Sequence, residues 1–161
     1  MARKFGEKRE ICIDPLAYNI GLIGESGIGK STVIKEVCEK LVGDDGYIAL
    51  DIGKEDGHDA INGIVSAKIP DWATFKEFCD DVIENKLTDY KDLRVVILDT
   101  FDQLLEITEP EVIRMHNRAN PDKPKITSIK AAFGGFMAGE DKAIQLVLDK
   151  LWELKAVGVS F

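Results

Sequence analysis

The chain is poor in the residues that build covalent or metal-held frameworks. Its three cysteines, Cys12, Cys38 and Cys79, lie far apart with no CxxC spacing, which argues against a disulfide scaffold and against a cysteine zinc site. The two histidines, His58 and His116, have no ligand-like neighbours in sequence and are read as solvated or hydrogen-bonded side chains. No apolar run approaches the roughly 18–20 residues that a membrane-spanning helix needs. The opening stretch, Met1 to Glu10, is charged rather than apolar and does not look like a secretory leader, so a cytoplasmic location is expected. Positive charge is also in deficit. There are 21 Lys and Arg against 29 Asp and Glu, a formal net charge of −8, which opposes indiscriminate attraction to nucleic acid over the whole surface. No internal repeat or low-complexity segment breaks the chain.

What remains is the composition of an ordinary globular protein, 45% hydrophobic and 31% charged over 161 residues, enough for one domain with a real core. Short β runs alternate with amphipathic stretches, the pattern of an α/β fold with a largely parallel central sheet. Residues 1–17 are read as an arm or edge strand, and 18–161 as the domain. A first strand is expected over Tyr18–Ile23, then a helix from about Lys30 to Leu41 with Val33, Ile34, Val37, Cys38 and Leu41 on one face. The second strand is Tyr47–Ile52, followed by an acidic glycine-bearing loop, Gly53–Gly57. A helix from Trp72 to Lys86 has Asp71 as its N-cap and buries Phe75, Phe78, Cys79, Val82 and Ile83. The unbroken apolar run Val95–Leu98 suits a central strand buried on both faces. A short helix is expected near Pro110–Arg118, then a proline-punctuated loop and a turn at Phe133–Phe136. The last helix, about Glu140 to Lys155, should turn Ile144, Val147, Leu148, Leu151 and Trp152 inward. Val157–Phe161 reads as the start of a further strand.

One motif carries chemistry. Gly24-Glu25-Ser26-Gly27-Ile28-Gly29-Lys30-Ser31 fits G-x-x-x-x-G-K-[ST] at every fixed position, between an expected strand and an expected helix. Its glycines permit positive φ and close approach of the backbone to an anion. The loop N–H groups and the helix N-terminus then face phosphate. The candidate phosphate cradle is therefore Gly24, Glu25, Ser26, Gly27, Ile28, Gly29, Lys30, Ser31 and Thr32, with Lys30 reaching the β and γ phosphates. Ser31 would offer its hydroxyl to Mg2+, a hard cation that takes few protein ligands beside water and phosphate. Asp99, at the carboxyl end of the apolar strand, is the second metal candidate, and a turn-capping aspartate is the plainer alternative. Hydrolysis also needs a group to orient or deprotonate water. Thr100 follows Asp99 where an acid would be convenient, so the choice falls among Asp51, Glu55 and Asp56. Glu55 is preferred, with a simply solvated loop as the alternative.

The run Ile20–Gly24 into Gly29-Lys30-Ser31-Thr32, with Val95–Leu98 closing in Asp99-Thr100-Phe101-Asp102, resembles the RecA-like P-loop ATPases. Within them it looks most like the small AAA-domain ATP-binding proteins of phage genomes related to single-strand annealing and recombination ATPases. The resemblance runs from about residue 18 to the end and implies a three-layer α/β/α fold, ATP with Mg2+, and a role in DNA recombination or replication. In that family a strand after the last helix lies between the two Walker strands and ends in a γ-phosphate sensor, so a domain incomplete at its C-terminal end is expected. The family also implies homo-oligomers with a basic residue reaching a neighbour's site, for which Arg114, Arg118 and Lys130 are candidates by location. Loops in this part of such folds contact single-stranded DNA. Here Arg114, Arg118, Lys123, Lys125 and Lys130 face only Asp122 between positions 114 and 130, although no aromatic residue interleaves with them. Two other functions compete with a DNA-linked ATPase: a nucleotide-gated assembly module with little turnover, and a small P-loop kinase.

Overall fold

The computed structural model describes residues 14–25, 27–54 and 61–161. Three parallel strands form the centre in the order β2-β1-β3: β1 is Tyr47–Ile52, β2 is Ser66–Ile69 and β3 is Val95–Asp99. Among the described residues four α-helices surround them: α1, Lys30–Val42; α2, Trp72–Glu84; α3, Phe101–Ala119; and α4, Ala138–Ala156. Among the described residues no helix is long and apolar enough to cross a membrane.

Alternation along the strands sorts the sheet into two faces. Tyr47, Ala49 and Ile97 point to one side, where Cys38, Ile34 and Val42 of α1 cover them. Leu50, Ile52 and Val96 point to the other, into a larger cluster with Phe75, Cys79 and Val82 of α2, Leu104 of α3, and Val147, Leu151 and Leu154 of α4. This is the expected three-layer α/β/α arrangement. Burial pushes the Cys79 thiol up to about 12 and also raises that of Cys38, so both stay neutral and behave as small apolar groups. Asp71 caps α2 by accepting the N–H of Thr74 at 2.8 Å. That bond, with the Thr74 hydroxyl, holds its carboxyl below the usual range.

Several expectations need correction. Tyr18–Ile23 does not form a strand; Tyr18, Ile20, Leu22 and Ile23 are exposed. It is tied to the end of the chain by the Ile20 N–H donating to Phe161 O at 3.2 Å and the Phe161 N–H donating to Asn19 Oδ1 at 3.5 Å. Among the described residues no ladder partner runs alongside it beyond that point. The edge of β3 is met instead by Ser160, in a parallel bridge to Val95. The four-residue β2 went unread because Ser-Ala-Lys-Ile is too short to show a period. The short helix expected at 110–118 is the end of a 19-residue helix that passes through Pro110. Burial of Leu104, Thr108 and Val112 on one face outweighs the hydrogen bond that the proline removes. Trp152 points outward, 55% exposed, and packs edge-on against Phe161 with ring centroids 6.0 Å apart; Ala143 and Leu154 are buried on α4 instead. On α1 only Cys38 is buried, while Val33, Val37 and Leu41 stay in part exposed. Residues 14–17 of the expected arm form a capped turn rather than a strand, and 1–13 lie outside the described residues.

Helices α3 and α4 run antiparallel, since Leu104 shares a cluster with Val147 and Leu151 while Val112 shares one with Ala143. Gly139 makes the top of this hairpin close. A Cβ there would lie 2.2 Å from the Ile129 carbonyl oxygen, so no larger residue fits the first turn of α4.

Phe75 is fully buried in the main cluster. Phe75→Ala is expected to cost about 3–5 kcal/mol of stability, read as a lowered urea midpoint. A midpoint within error of the parent would contradict the core assignment.

Candidate nucleotide site

The loop before α1 turns on glycine. Gly27 and Gly29 take φ of 77° and 93°, the left-handed region that costs side-chain-bearing residues. Gly29 is also the N-cap of α1 and carries no side chain to cap it, so the first helical N–H groups stay directed at the loop mouth. No acidic residue sits in that first turn to compete with an anion. Lys30 folds back over the loop: its Nζ donates to Gly24 O and Glu25 O, both at 2.8 Å. Its ammonium therefore lies across the concavity with exchangeable carbonyl partners, where phosphate oxygens could replace them.

The second half of the site comes from the sheet. Asp99 is the last residue of β3, with the strand parity of Val95 and Ile97, and so lies on the α1 side. There it accepts a hydrogen bond from Ser31 Oγ at 2.7 Å, across 68 positions of sequence. The Asp99–Thr100 peptide bond is cis. Thr100 then caps α3, its hydroxyl accepting the Gln103 N–H at 3.4 Å. A hydroxyl and a carboxylate in contact at the end of a parallel strand form the hard-oxygen donor set that suits Mg2+ better than a soft metal.

Gly24, Glu25, Gly27, Ile28, Gly29, Lys30, Ser31 and Thr32 are thus gathered with Asp99 around one end of the sheet. Ser26 and Glu55 lie outside the described residues. Asp51, which the sequence offered only as one of three acids, gains weight here. It is 4% exposed, pairs in register with Asp99, and shares its parity, so two carboxylates sit side by side on neighbouring strands. The signal in sequence was its place as the last polar residue of β1, seen against an equally polar loop that followed.

The basic segment lies elsewhere. Arg114 is clasped by Glu111, donating from Nε at 2.7 Å and Nη2 at 2.8 Å. Arg118, Lys123, Lys125 and Lys130 are exposed at the far end of α3 and in the loop after it. The separation along α3 from Phe101 to His116 is about 22 Å at 1.5 Å per residue, so these cations do not line the phosphate loop of their own chain.

A family model described as an AAA domain matches residues 16–139, more than half of the chain. That span includes the loop, the three strands and the whole of α3. No curated protein and no solved structure gives a match.

Asp99→Asn keeps an oxygen for Ser31 but removes the charge. ATP binding to this variant should depend far less on Mg2+ than in the parent, measured by calorimetry with and without the cation. An unchanged requirement would remove Asp99 from the ligand set.

Proposed function

The chain belongs to the AAA domain family of nucleotide-binding ATPases, and from that premise we propose that it is a magnesium-dependent ATP hydrolase acting in phage DNA recombination or replication, with single-stranded DNA as its partner. The observation that carries the reading is the 2.7 Å contact between Ser31 and Asp99, because it brings the phosphate loop and the strand-end carboxylate to one point.

The proposed roles follow from position. The N–H groups of Gly27 to Thr32 cradle the β and γ phosphates, and Lys30 exchanges its two carbonyls for phosphate oxygens. Mg2+, when bound, would offset the charge that builds in phosphoryl transfer. Ser31 and Asp99, in contact at 2.7 Å, are the residues that would hold it. In the reaction a water oxygen bonds to the γ-phosphorus, the bond to the β–γ bridging oxygen breaks, and ADP leaves. The water's proton passes to a carboxylate. Glu55 is our choice for that base, with Asp51 beside Asp99 as a positioning group for the water or the metal's hydration shell.

The DNA partner rests on the basic segment 114–130, whose cations could neutralise phosphates in a salt-dependent way. Its distance from the phosphate loop also suits action in trans, so assembly into a homo-oligomer, with Arg118 or Lys130 near a neighbour's nucleotide, belongs to the same reading.

The deciding experiment is ATP turnover with Mg2+, with and without single-stranded DNA, against Lys30→Ala as the blank. Turnover that DNA stimulates and Lys30→Ala abolishes is expected. Tight ATP binding with no turnover would instead mean a nucleotide-gated module, and ADP formed only with a small acceptor would mean a kinase. Glu55→Gln should lower kcat on the order of 100-fold while ATP still binds; equal loss from Asp51→Asn alone would move the base to Asp51.

A further inference from the structure

The acids at the end of the sheet belong to a row that crosses β2, β1 and β3. Register sets Asp51 of β1 opposite Asp99 of β3 on one side and opposite Lys68 of β2 on the other. Ile69, the next residue of β2, pairs with Ile52 and joins it in the cluster under α2 and α4. Alternation turns Lys68 to the opposite face, which is the face of Tyr47, Ala49, Asp51 and Asp99. One level of the sheet therefore carries an ammonium, a carboxylate and a second carboxylate, on strands about 4.8 Å apart. The register is held on both sides of this level. The Ala49 N–H donates to Val65 O at 2.8 Å, and the Gly53 N–H to Ile69 O at 2.9 Å.

Burial differs along the row. Asp51 is 4% exposed, Asp99 is half-buried and Lys68 is exposed. A carboxylate withdrawn from water needs polar partners or opposite charge, and the neighbour of Asp51 on β3 has like charge. That neighbour is engaged by Ser31 Oγ at 2.7 Å. Lys30 is committed to the phosphate loop, donating to Gly24 O and Glu25 O. Lys68 is the cation that strand register itself places beside Asp51, and a lysine stem can lie along a sheet while its ammonium stays in water. A lysine on an edge strand can also serve only to discourage pairing with other chains. That role asks for charge anywhere along the edge, whereas Lys68 stands in register with Asp51 and on its face.

We propose that Lys68 is a positioning residue of the hydrolytic site. Its charge draws the Asp51 carboxylate toward β2 and away from Asp99, so the two acids take separate tasks. Asp99 stays with Ser31 at the metal position, and Asp51 is left to orient water. The inference rests on the ATP-hydrolase reading given above and adds a residue that the phosphate-loop pattern does not contain. Without Lys68 both carboxylates would still be present, but their mutual repulsion would set where Asp51 points. The expected defect is therefore in the chemical step, and not in the nucleotide affinity that the loop N–H groups and Lys30 supply.

The test is ATP turnover and ATP binding with Mg2+ for the full chain and five variants: Lys68→Ala, Lys68→Arg, Asp51→Asn, Asp51→Asn with Lys68→Ala, and Lys76→Ala. Lys68→Ala should lower kcat about 10-fold with the ATP dissociation constant little changed, and Lys68→Arg should recover most of the loss. Because Lys68 acts through Asp51, adding Lys68→Ala to Asp51→Asn should cost nothing further. Lys76→Ala removes the same charge from an exposed position on α2 and should leave kcat unchanged. Parental kcat in Lys68→Ala would overturn the proposal and leave Lys68 as a guard of the sheet edge. Fully additive losses in the double variant would also overturn it, since Lys68 would then act independently of Asp51. A loss in ATP affinity alone, with kcat intact, would make Lys68 a nucleotide contact instead. A parent that binds ATP but does not turn it over would overturn the hydrolase reading and this role with it.

Discussion

The parallel pairing of β1 with β3 is the constraint on which the site depends. Tyr47 pairs with Val95 and Asp51 with Asp99, so the two strands end together and bring two carboxylates to one level. Side chains alternate along a strand, and Asp99 therefore faces α1 only because Val95 and Ile97 do. A slip of one residue would turn Asp99 toward the apolar cluster of α2 and α4 and point Leu98 at Ser31. The register is in turn fixed by burial, since Tyr47, Ala49 and Ile97 must meet Cys38 and Ile34 while Leu50, Ile52 and Val96 meet Phe75 and Leu151. Placement of the polar groups is thus a consequence of apolar packing. The Ser31–Asp99 hydrogen bond joins α1 to β3 on the face that Cys38 and Ile34 cover.

Much of this was legible in sequence. The motif Gly24–Ser31 specified much of its own backbone, because glycine takes the φ values seen at Gly27 and Gly29 at far lower cost than other residues, and its place before a helix followed from the α1 pattern. The runs Tyr47–Ile52 and Val95–Leu98 were readable as strands because buried parallel strands are apolar throughout. Asp71 was readable as a cap because capping depends on one side chain and the residues just after it. What escaped depends on distant partners. Tyr18–Ile23 has the β-branched and aromatic character of a strand, yet a strand exists only where another backbone lies alongside, and local pattern cannot supply that. Pro110 looked like a boundary, but the face formed by Leu104, Thr108 and Val112 continues through it and decides the outcome. Asp51 looked like any strand-end acid until its register with Asp99 was known. The link between His116 and Phe133 spans 17 positions, and nothing at either residue alone announces it.

The two features of functional interest, the phosphate loop with Asp99 and the basic segment 114–130, stand at opposite ends of one helix. Thr100 caps α3 directly after Asp99, and His116 in the last turn of the same helix receives Phe133. A helix of 19 residues is a stiff connector only if it is held along its length, and α3 is held on one side by Leu104 in the main cluster and by Val112 in the upper one. Thr108 lies between them, fully buried, with its hydroxyl donating to Leu104 O at 2.7 Å, so the buried face carries no unsatisfied polar atom at its midpoint. Pro110 weakens the backbone ladder just beyond this point, where packing from α4 takes over. There Val112 packs with Ile129, Ala132 and Ala143. The start and the end of α3 are therefore joined through one buried face that packs in both clusters, with Gly139 seating α4 closely against Ile129.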